Sequence, residues 1–342
     1  MHFMQELLQS IANDVKDIFA YGIETTKANA VPSRHDDGLT FPIGADKKGK
    51  IIETCVLFID IRNSTKISRM LRRDVTRLGK IYEAFIYTMT WVADEYGFVR
   101  NIVGDRVMVV FEPTDCFKNA VECAAAMYTV AMKILKPYIG IDDFKVGIGI
   151  EYGELLILKG GIQKRDKEQS EYKGLVWVGD AANIASKLTD CASKEFPSDY
   201  EVTYSTVEIE NTPNPKFKTY MKYISPYPAS VPIEPQFIRN YVRKNRTVTL
   251  SASEFIKEVK FTPEGQKYKD SNVLSIVQKG NGGNSYPILL SGKVCTEYLK
   301  AVPDSPYAKR FEKKEYSHCP YVATGIYGAA LIHPESNQLK LK

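Results

Sequence analysis

The stretch "VLFIDIRNST", Val56 to Thr65, decides how this chain is read. Val56, Leu57, Phe58 and Ile59 form an unbroken apolar run, the pattern of a buried strand through the middle of a domain. Asp60 then sets a carboxylate at the end of that strand, and polar residues follow from Arg62 onward. A bare charge there costs desolvation energy, so it needs a cation, a hydrogen-bond donor or water.

Working outward, the spacing predicts an amphipathic helix over 4–29, from Leu7, Leu8, Ile11, Val15, Phe19 and Ile23. "VPSRHDDGLTFPIGADKKGK" has the Pro, Gly and charge content of a loop. A strand over 51–60 and a long helix over 64–96 come next. "FVRNIVGDRVMVVF" reads as a hairpin turning at Gly104-Asp105, a pair that tolerates positive φ. A helix is expected over 115–136, then two strands meeting near Gly153, the short strand "LVWVGD", the helix "AANIASKLTDCA" and the strand "EVTYS". The order β-α-β-β-α-β with an added hairpin predicts an α+β fold, a sheet with helices on one face. Composition shifts to proline and tyrosine near residue 211. The expected division is therefore an N-terminal helix and linker over 1–49, a catalytic domain over 50–210 and a smaller C-terminal domain over 211–342.

With 44% apolar and 25% charged residues in 342, the composition is that of an ordinary globular chain with room for two cores. The net charge of +5 suits a small polyanionic substrate and is too small for a dedicated nucleic-acid binder. No stretch approaches the roughly 18 apolar residues of a membrane span, and "MHFMQELLQSIANDVK" lacks the layout of a signal peptide. Six cysteines without a CxxC pair suit reduced thiols in a cytoplasmic protein. Cys116 and Cys123 read as core residues of one helix, and the His318–Pro320 triplet as a chance adjacency. "FIRNYVRKNR", with Arg239, Arg243, Lys244 and Arg246, reads as a solvated face.

If the hairpin lies beside the first strand, Asp105 reaches the rim that Asp60 occupies. Two close carboxylates repel, and both stay ionised only with a cation between them. Oxygen ligands of this kind suit Mg²⁺ or Mn²⁺, which complete their shells with substrate phosphates. The carbonyl of Ile61 is a further candidate ligand, and strand period places Phe58 on the face of Asp60. Each residue also has a plainer reading: a strand-ending Asp is commonly a helix cap, and Gly-Asp commonly a turn.

Three motifs in order resolve that choice. "FIDIRNST" resembles F-x-D-I-R-G-F-T, "VGDRVMVVF" resembles I-G-D-x-x-M-x-x-F, and "VGDAANIASKL" resembles G-D-x-V-N-x-A-S-R-L. Together they resemble the class III nucleotidyl cyclases, the adenylate and guanylate cyclase family, over about residues 50–210. The resemblance implies a ferredoxin-like catalytic domain and two divalent cations, Mn²⁺ or Mg²⁺, held by Asp60, Asp105 and the Ile61 carbonyl. It implies that Asn183 positions the ribose and that Lys187 stands where the family has a transition-state arginine. Phe58 and Arg62 are the substrate-side candidates next to Asp60, and the resemblance puts Lys145 on an arginine that touches the terminal phosphates. Both arginine positions are lysines here, so a charge remains but the bidentate fork is lost. The family builds each site from two chains, which implies a head-to-tail homodimer.

Two further positions read the base in this family. Here they are Asn101 and Val176, and neither purine pattern is present. An apolar Val176 leaves a purine edge unmatched, at a cost of roughly 1–3 kcal/mol. Asn101 both donates and accepts, which suits a pyrimidine. That pocket, with a C-terminal appendage, resembles the pyrimidine cyclases of bacterial anti-phage systems, whose cyclic nucleotide activates a separate effector. UTP conversion to 3′,5′-cyclic UMP is expected; the alternatives are a cytidylate cyclase, an adenylate cyclase with a divergent pocket, or a silent nucleotide-sensing module.

Overall fold

The computed structural model describes residues 2–42, 44–161, 163–164, 167–168, 174–195, 197–213, 237–262, 265–280, 282–314 and 325–338. They fall into two compact units, Met1–Lys194 with Asn284–Lys342, and Glu195–Gly283. His318–Pro320 and most of the expected linker after 211 lie outside the described residues.

The first unit is built on β2 (Lys47–Ile61), the strand that carries the opening stretch. On one side β2 pairs antiparallel with β4 (Arg106–Val110), which pairs with β3 (Phe98–Val103). On its other side it pairs antiparallel with β5 (Val146–Gly160). The order β5-β2-β4-β3 is the ferredoxin-like arrangement that the motif order implies. The expected two strands around Gly153 are one. Thr54 pairs directly with Gly153, so the ladder runs through it without a turn.

β1 (Ile23–Lys27) lies parallel to β2, and β6 (Gly174–Val178) is antiparallel to β5. The helix expected over 4–29 therefore stops short: α1 spans His2–Ala20, and the β-branched Ile23, Thr25 and Thr26 enter the sheet beyond Gly22. Every described side chain of α1 from Phe3 onward is exposed.

β2 alternates between two cores. Cys55, Leu57, Ile59 and Ile61 face a layer that includes α3 (Val75–Tyr96) and α4 (Cys116–Val130). Ile81, Phe85, Met89 and Ala93 form the matching stripe on α3, and each such large side chain contributes about 1.5–3 kcal/mol through burial. The helix expected over 64–96 is broken into α2 (Ser64–Met70) and α3, because Asp74 caps α3 by accepting from the Arg77 amide at 3.0 Å. Cys116 and Cys123 are both buried on α4, as their spacing predicts.

The opposite face of β2 carries Val56 and Phe58, packed with Ala181, Ala182 and Ala185 of α5 (Asp180–Cys191). Helices thus cover both faces, where one face was expected, and this explains the unbroken apolar run at Val56–Ile59. α5 lies close because β5 offers glycine under it. A Cβ on Gly149 would sit 2.2 Å from the Ala185 carbonyl oxygen and 2.3 Å from the Thr189 amide nitrogen.

The second unit is a five-stranded antiparallel sheet, β8-β7-β11-β10-β9. Its strands are β7 (Asp199–Pro213), β8 (Phe237–Ser251), β9 (Val259–Thr262), β10 (Gly265–Tyr268) and β11 (Ser271–Lys279). Tyr200 stacks on Phe255 of α6 (Ala252–Glu258) at 4.0 Å in its core. The basic run on β8 is met across the ribbon by acid: Lys244 pairs with Glu210 and Glu208, and Arg246 with Glu208 at 2.5 Å.

The expected boundary at residue 210 does not match these units. "EVTYS" opens the second unit, and the first sheet is closed instead by β12 (Ile288–Ser291), parallel to β5. After it come α7 (Gly292–Ala301), β13 (Glu312–Lys314) and β14 (Ile326–Ala329), the last two extending the sheet edge. Ile288, Leu290 and Tyr298 belong to the same core as Phe85. The second unit is an insertion between α5 and β12, a connection that local pattern does not reveal.

Gly149→Ala should therefore displace α5 by backbone collision and cost about 1–3 kcal/mol in urea unfolding. An unchanged midpoint would mean that α5 does not press on β5. A second test uses Glu151, buried on β5, which accepts from Ser291 Oγ at 2.6 Å and from the Tyr152 amide at 2.9 Å. Burial outweighs those bonds and raises its carboxyl above the usual range. The folded chain holds that proton more tightly than the unfolded one, so stability falls as pH rises through the raised value. Glu151→Gln should match wild type below the ordinary carboxylate range and be more stable than it at pH 8. Parallel pH profiles would refute this.

Candidate active site

Asp60 is 8% exposed at the end of β2, and two guanidinium groups meet it. Arg62 pairs with Oδ1. Arg106, the first residue of β4, pairs with Oδ2 at 2.5 Å through Nη2 and at 3.2 Å through Nε. The two arginines answer the question that the sequence poses.

The same groups reach α5. Arg106 Nη1 donates to Ser186 Oγ at 2.8 Å, and its Nη2 also pairs with Asp190. Arg62 Nη1 donates to the Asp190 carbonyl at 3.4 Å, near the end of α5 where the helix dipole favours a cation. Thr189 Oγ1 donates to the Phe58 carbonyl at 3.1 Å, fastening the helix to β2. Arg62 is 5% exposed, and burial lowers its guanidinium to about 10; Asp190 and Asp105 pull the other way and Arg106 adds to the lowering.

Asp105, at the β3–β4 turn, accepts from the Ile61 amide at 3.1 Å. That bond brings both acidic residues to one rim. Gly104 there has φ +61, which glycine adopts without strain. The Arg62 amide donates to the Lys145 carbonyl at 2.9 Å, so Lys145 joins the same rim, with its amine 3.6 Å from Asp143. Phe58 shares the face of Asp60 and is half-buried against the second core.

Asn183 and Lys187 are both exposed on α5, one turn apart on one face, while Ser186 and Asp190 are the residues that touch Arg106. Asn101 is exposed on β3 and Val176 on β6. Those strands are separated by β4, β2 and β5, so the sheet order does not set the two base-reading candidates side by side.

The oxygen donors expected for divalent cations are present on one rim, but as arranged they do not fit one. Both Asp60 oxygens are engaged by arginine, and among the described residues no group of three or more His, Cys, Asp or Glu is placed to hold a metal. Sequence reasoning missed Arg106, Ser186 and Asp190. A signal was there: Arg106 directly follows the hairpin turn, and Val107 pairs with Ile59, which puts Arg106 beside Asp60 across the ladder.

Asp60→Ala would leave Arg62 buried without its carboxylate. It should cost about 3 kcal/mol or more in urea unfolding, against about 1 kcal/mol for Asp105→Ala, which removes one hydrogen bond. Equal losses would place the structural charge elsewhere.

Comparison with known proteins bears on what such a rim serves. A uridylate cyclase of Gulbenkiania mobilis is 32% identical over 173 residues, which is 47% of this chain and 63% of that protein. A uridylate cyclase of Burkholderia cepacia is 29% identical over 195 residues, 54% of this chain and 80% of its own. A cytidylate cyclase of Staphylococcus aureus is 30% identical over 109 residues, covering 29% and 25%. The chain thus spans less than two thirds of the first of these. No helix among the described residues is long and apolar enough to cross a membrane. The family profile of the adenylate and guanylate cyclase catalytic domain matches residues 47–224, just over half of the sequence, and the chain belongs to that family.

Proposed function

We propose that the protein is a pyrimidine nucleotide cyclase that converts UTP to 3′,5′-cyclic UMP and pyrophosphate. The observation that carries this reading is the convergence of Asp60, Asp105 and Lys145 on one rim, beside a helix that presents Asn183 and Lys187. The 3′-oxygen of the ribose attacks the α-phosphorus, its proton leaves to solvent, and the bond to pyrophosphate breaks. Asn183 orients the ribose. Lys187 neutralises charge growing on the phosphoryl oxygens, and Lys145 meets the terminal phosphates. Asn101 reads the uracil edge, and Val176 supplies an apolar wall that disfavours purines. The relatives named uridylate cyclase support UTP; the cytidylate cyclase relative keeps CTP as the second reading.

The site is shared between two copies in this reading. Asn183 and Lys187 are exposed on α5, and β3 exposes Ile102 and Val103 beside Asp105, an apolar edge suited to a second subunit. A cytoplasmic second messenger acting on a separate effector in anti-phage defence is the role that follows.

The test offers ATP, GTP, CTP and UTP side by side with Mn²⁺ and compares wild type with Asp105→Ala. Cyclic UMP from wild type alone is expected, and equal turnover by both proteins would defeat the enzyme reading. Mixing Asp60→Ala with Asn183→Ala subunits should restore activity. Continued silence despite subunit exchange would defeat the shared site.

A further inference from the structure

We propose that the second unit binds a single strand of nucleic acid along one face of its long ribbon, through Phe237, Arg239, Tyr241 and Arg243. The site belongs to the second unit alone and does not rest on the cyclase reading.

β7 and β8 pair along their whole length, from Asp199 with Ser251 to Pro213 with Phe237, whereas β11 pairs with β7 only from Asp199 to Tyr204. Residues 205–213 and 237–245 therefore run on as a two-stranded ribbon, about 30 Å long, with no third strand among the described residues. Side chains alternate between its faces. The even-numbered face continues the one that buries Tyr200, Val202 and Leu250. Its charges answer one another: Lys244 pairs with Glu208 and Glu210, and Arg246 with Glu208. On the odd-numbered face Phe237, Arg239, Tyr241 and Arg243 are all exposed, Tyr241 to 72%. Opposite them stand Pro213, Asn211, Ile209 and Val207, none of them charged. Neither Arg239 nor Arg243 forms an ion pair among the described residues. The net charge of +5 understates this face, because both acids of the ribbon lie on the other one.

Rings and guanidinium groups thus alternate along one exposed strand, as F-x-R-x-Y-x-R, at steps of about 7 Å. That alternation selects the occupant. A nucleic-acid strand alternates flat bases with phosphates: rings stack on bases of any sequence, and guanidinium forks hold phosphate oxygens. A duplex keeps its base faces inside its own stack and offers the rings only edges. An acidic peptide would satisfy the arginines but leave Phe237 and Tyr241 without planar partners. A second copy laid on this face would bring four guanidinium groups together with no acid between them, and like charges repel.

The experiment titrates the full chain into a fluorescein-labelled oligodeoxythymidylate and follows fluorescence anisotropy at several salt concentrations. Wild type should bind the single strand at least about tenfold more tightly than its duplex with oligodeoxyadenylate. Tyr241→Ala should weaken binding about tenfold, and Tyr241→Phe, which keeps the ring, should stay near wild type. The double variant Arg239→Gln with Arg243→Gln should flatten the slope of log Kd against log salt by about 1.4, the share of two phosphates. Lys244→Ala, which removes a charge from the opposite face, should shift affinity by less than about twofold. Circular dichroism and urea unfolding report whether each variant is folded, and the comparison of strand with duplex uses wild type alone. No binding at low salt, equal binding of strand and duplex, or affinity unmoved in both Tyr241→Ala and the arginine pair would overturn the proposal. Binding of polyglutamate in place of the oligonucleotide would do so too. No turnover is read, so a chain that makes no cyclic product can still pass this test, and an active cyclase can fail it.

Discussion

The carboxylate of Asp60, brought into the protein and balanced by two guanidinium groups, is the constraint on which the first unit depends. Its desolvation is affordable only because Arg62 and Arg106 approach it from different elements. Arg62 needs the end of α5 as a second acceptor, and Arg106 needs Ser186 and Asp190. Those needs fix α5 against β5, which requires glycine at 149 under the helix, and at 147 beside the Arg62 guanidinium. Charge, helix placement and small residues are one arrangement seen from three sides.

Much of this was legible in the chain. The apolar run ending at Asp60, the glycine turn before Asp105 and the helical spacing of Asn183 and Lys187 are local patterns, and the elements that carry them lie where those patterns place them. What was not legible is pairing between distant segments. Nothing near "EVTYS" says that it leaves the first sheet, and nothing near Ile288 says that it returns to it. The single strand through Gly153 escaped for a related reason: glycine reads as a turn, but here the ladder with β2 overrides that preference.

The site was half legible in the same way. Asp60, Asp105 and Lys145 carry obvious charges in recognisable settings, whereas Ile61 was expected to offer its carbonyl and the structure shows its amide donating to Asp105. Arg106 went unremarked because an arginine after a turn is ordinary on a surface. It becomes informative only when the register of β2 and β4 is known, since that register turns a sequence neighbour of Asp105 into a spatial neighbour of Asp60.

The interruption of the first unit has a consequence for how the chain matures. Between α5 and β12 stands the whole second unit, Glu195–Gly283, with a hydrophobic centre of its own around Tyr200 and Phe255. During synthesis, Ile148 and Ile150 leave the ribosome long before Ile288 and Leu290 arrive to cover them. Until then the nascent β5 has one flank open to water and to other chains. The entropic toll of spanning so long a gap grows only with its logarithm, by roughly 0.6 kcal/mol for each doubling, so an insertion of this size is tolerable at equilibrium. Its burden is one of timing, borne by the half-built sheet.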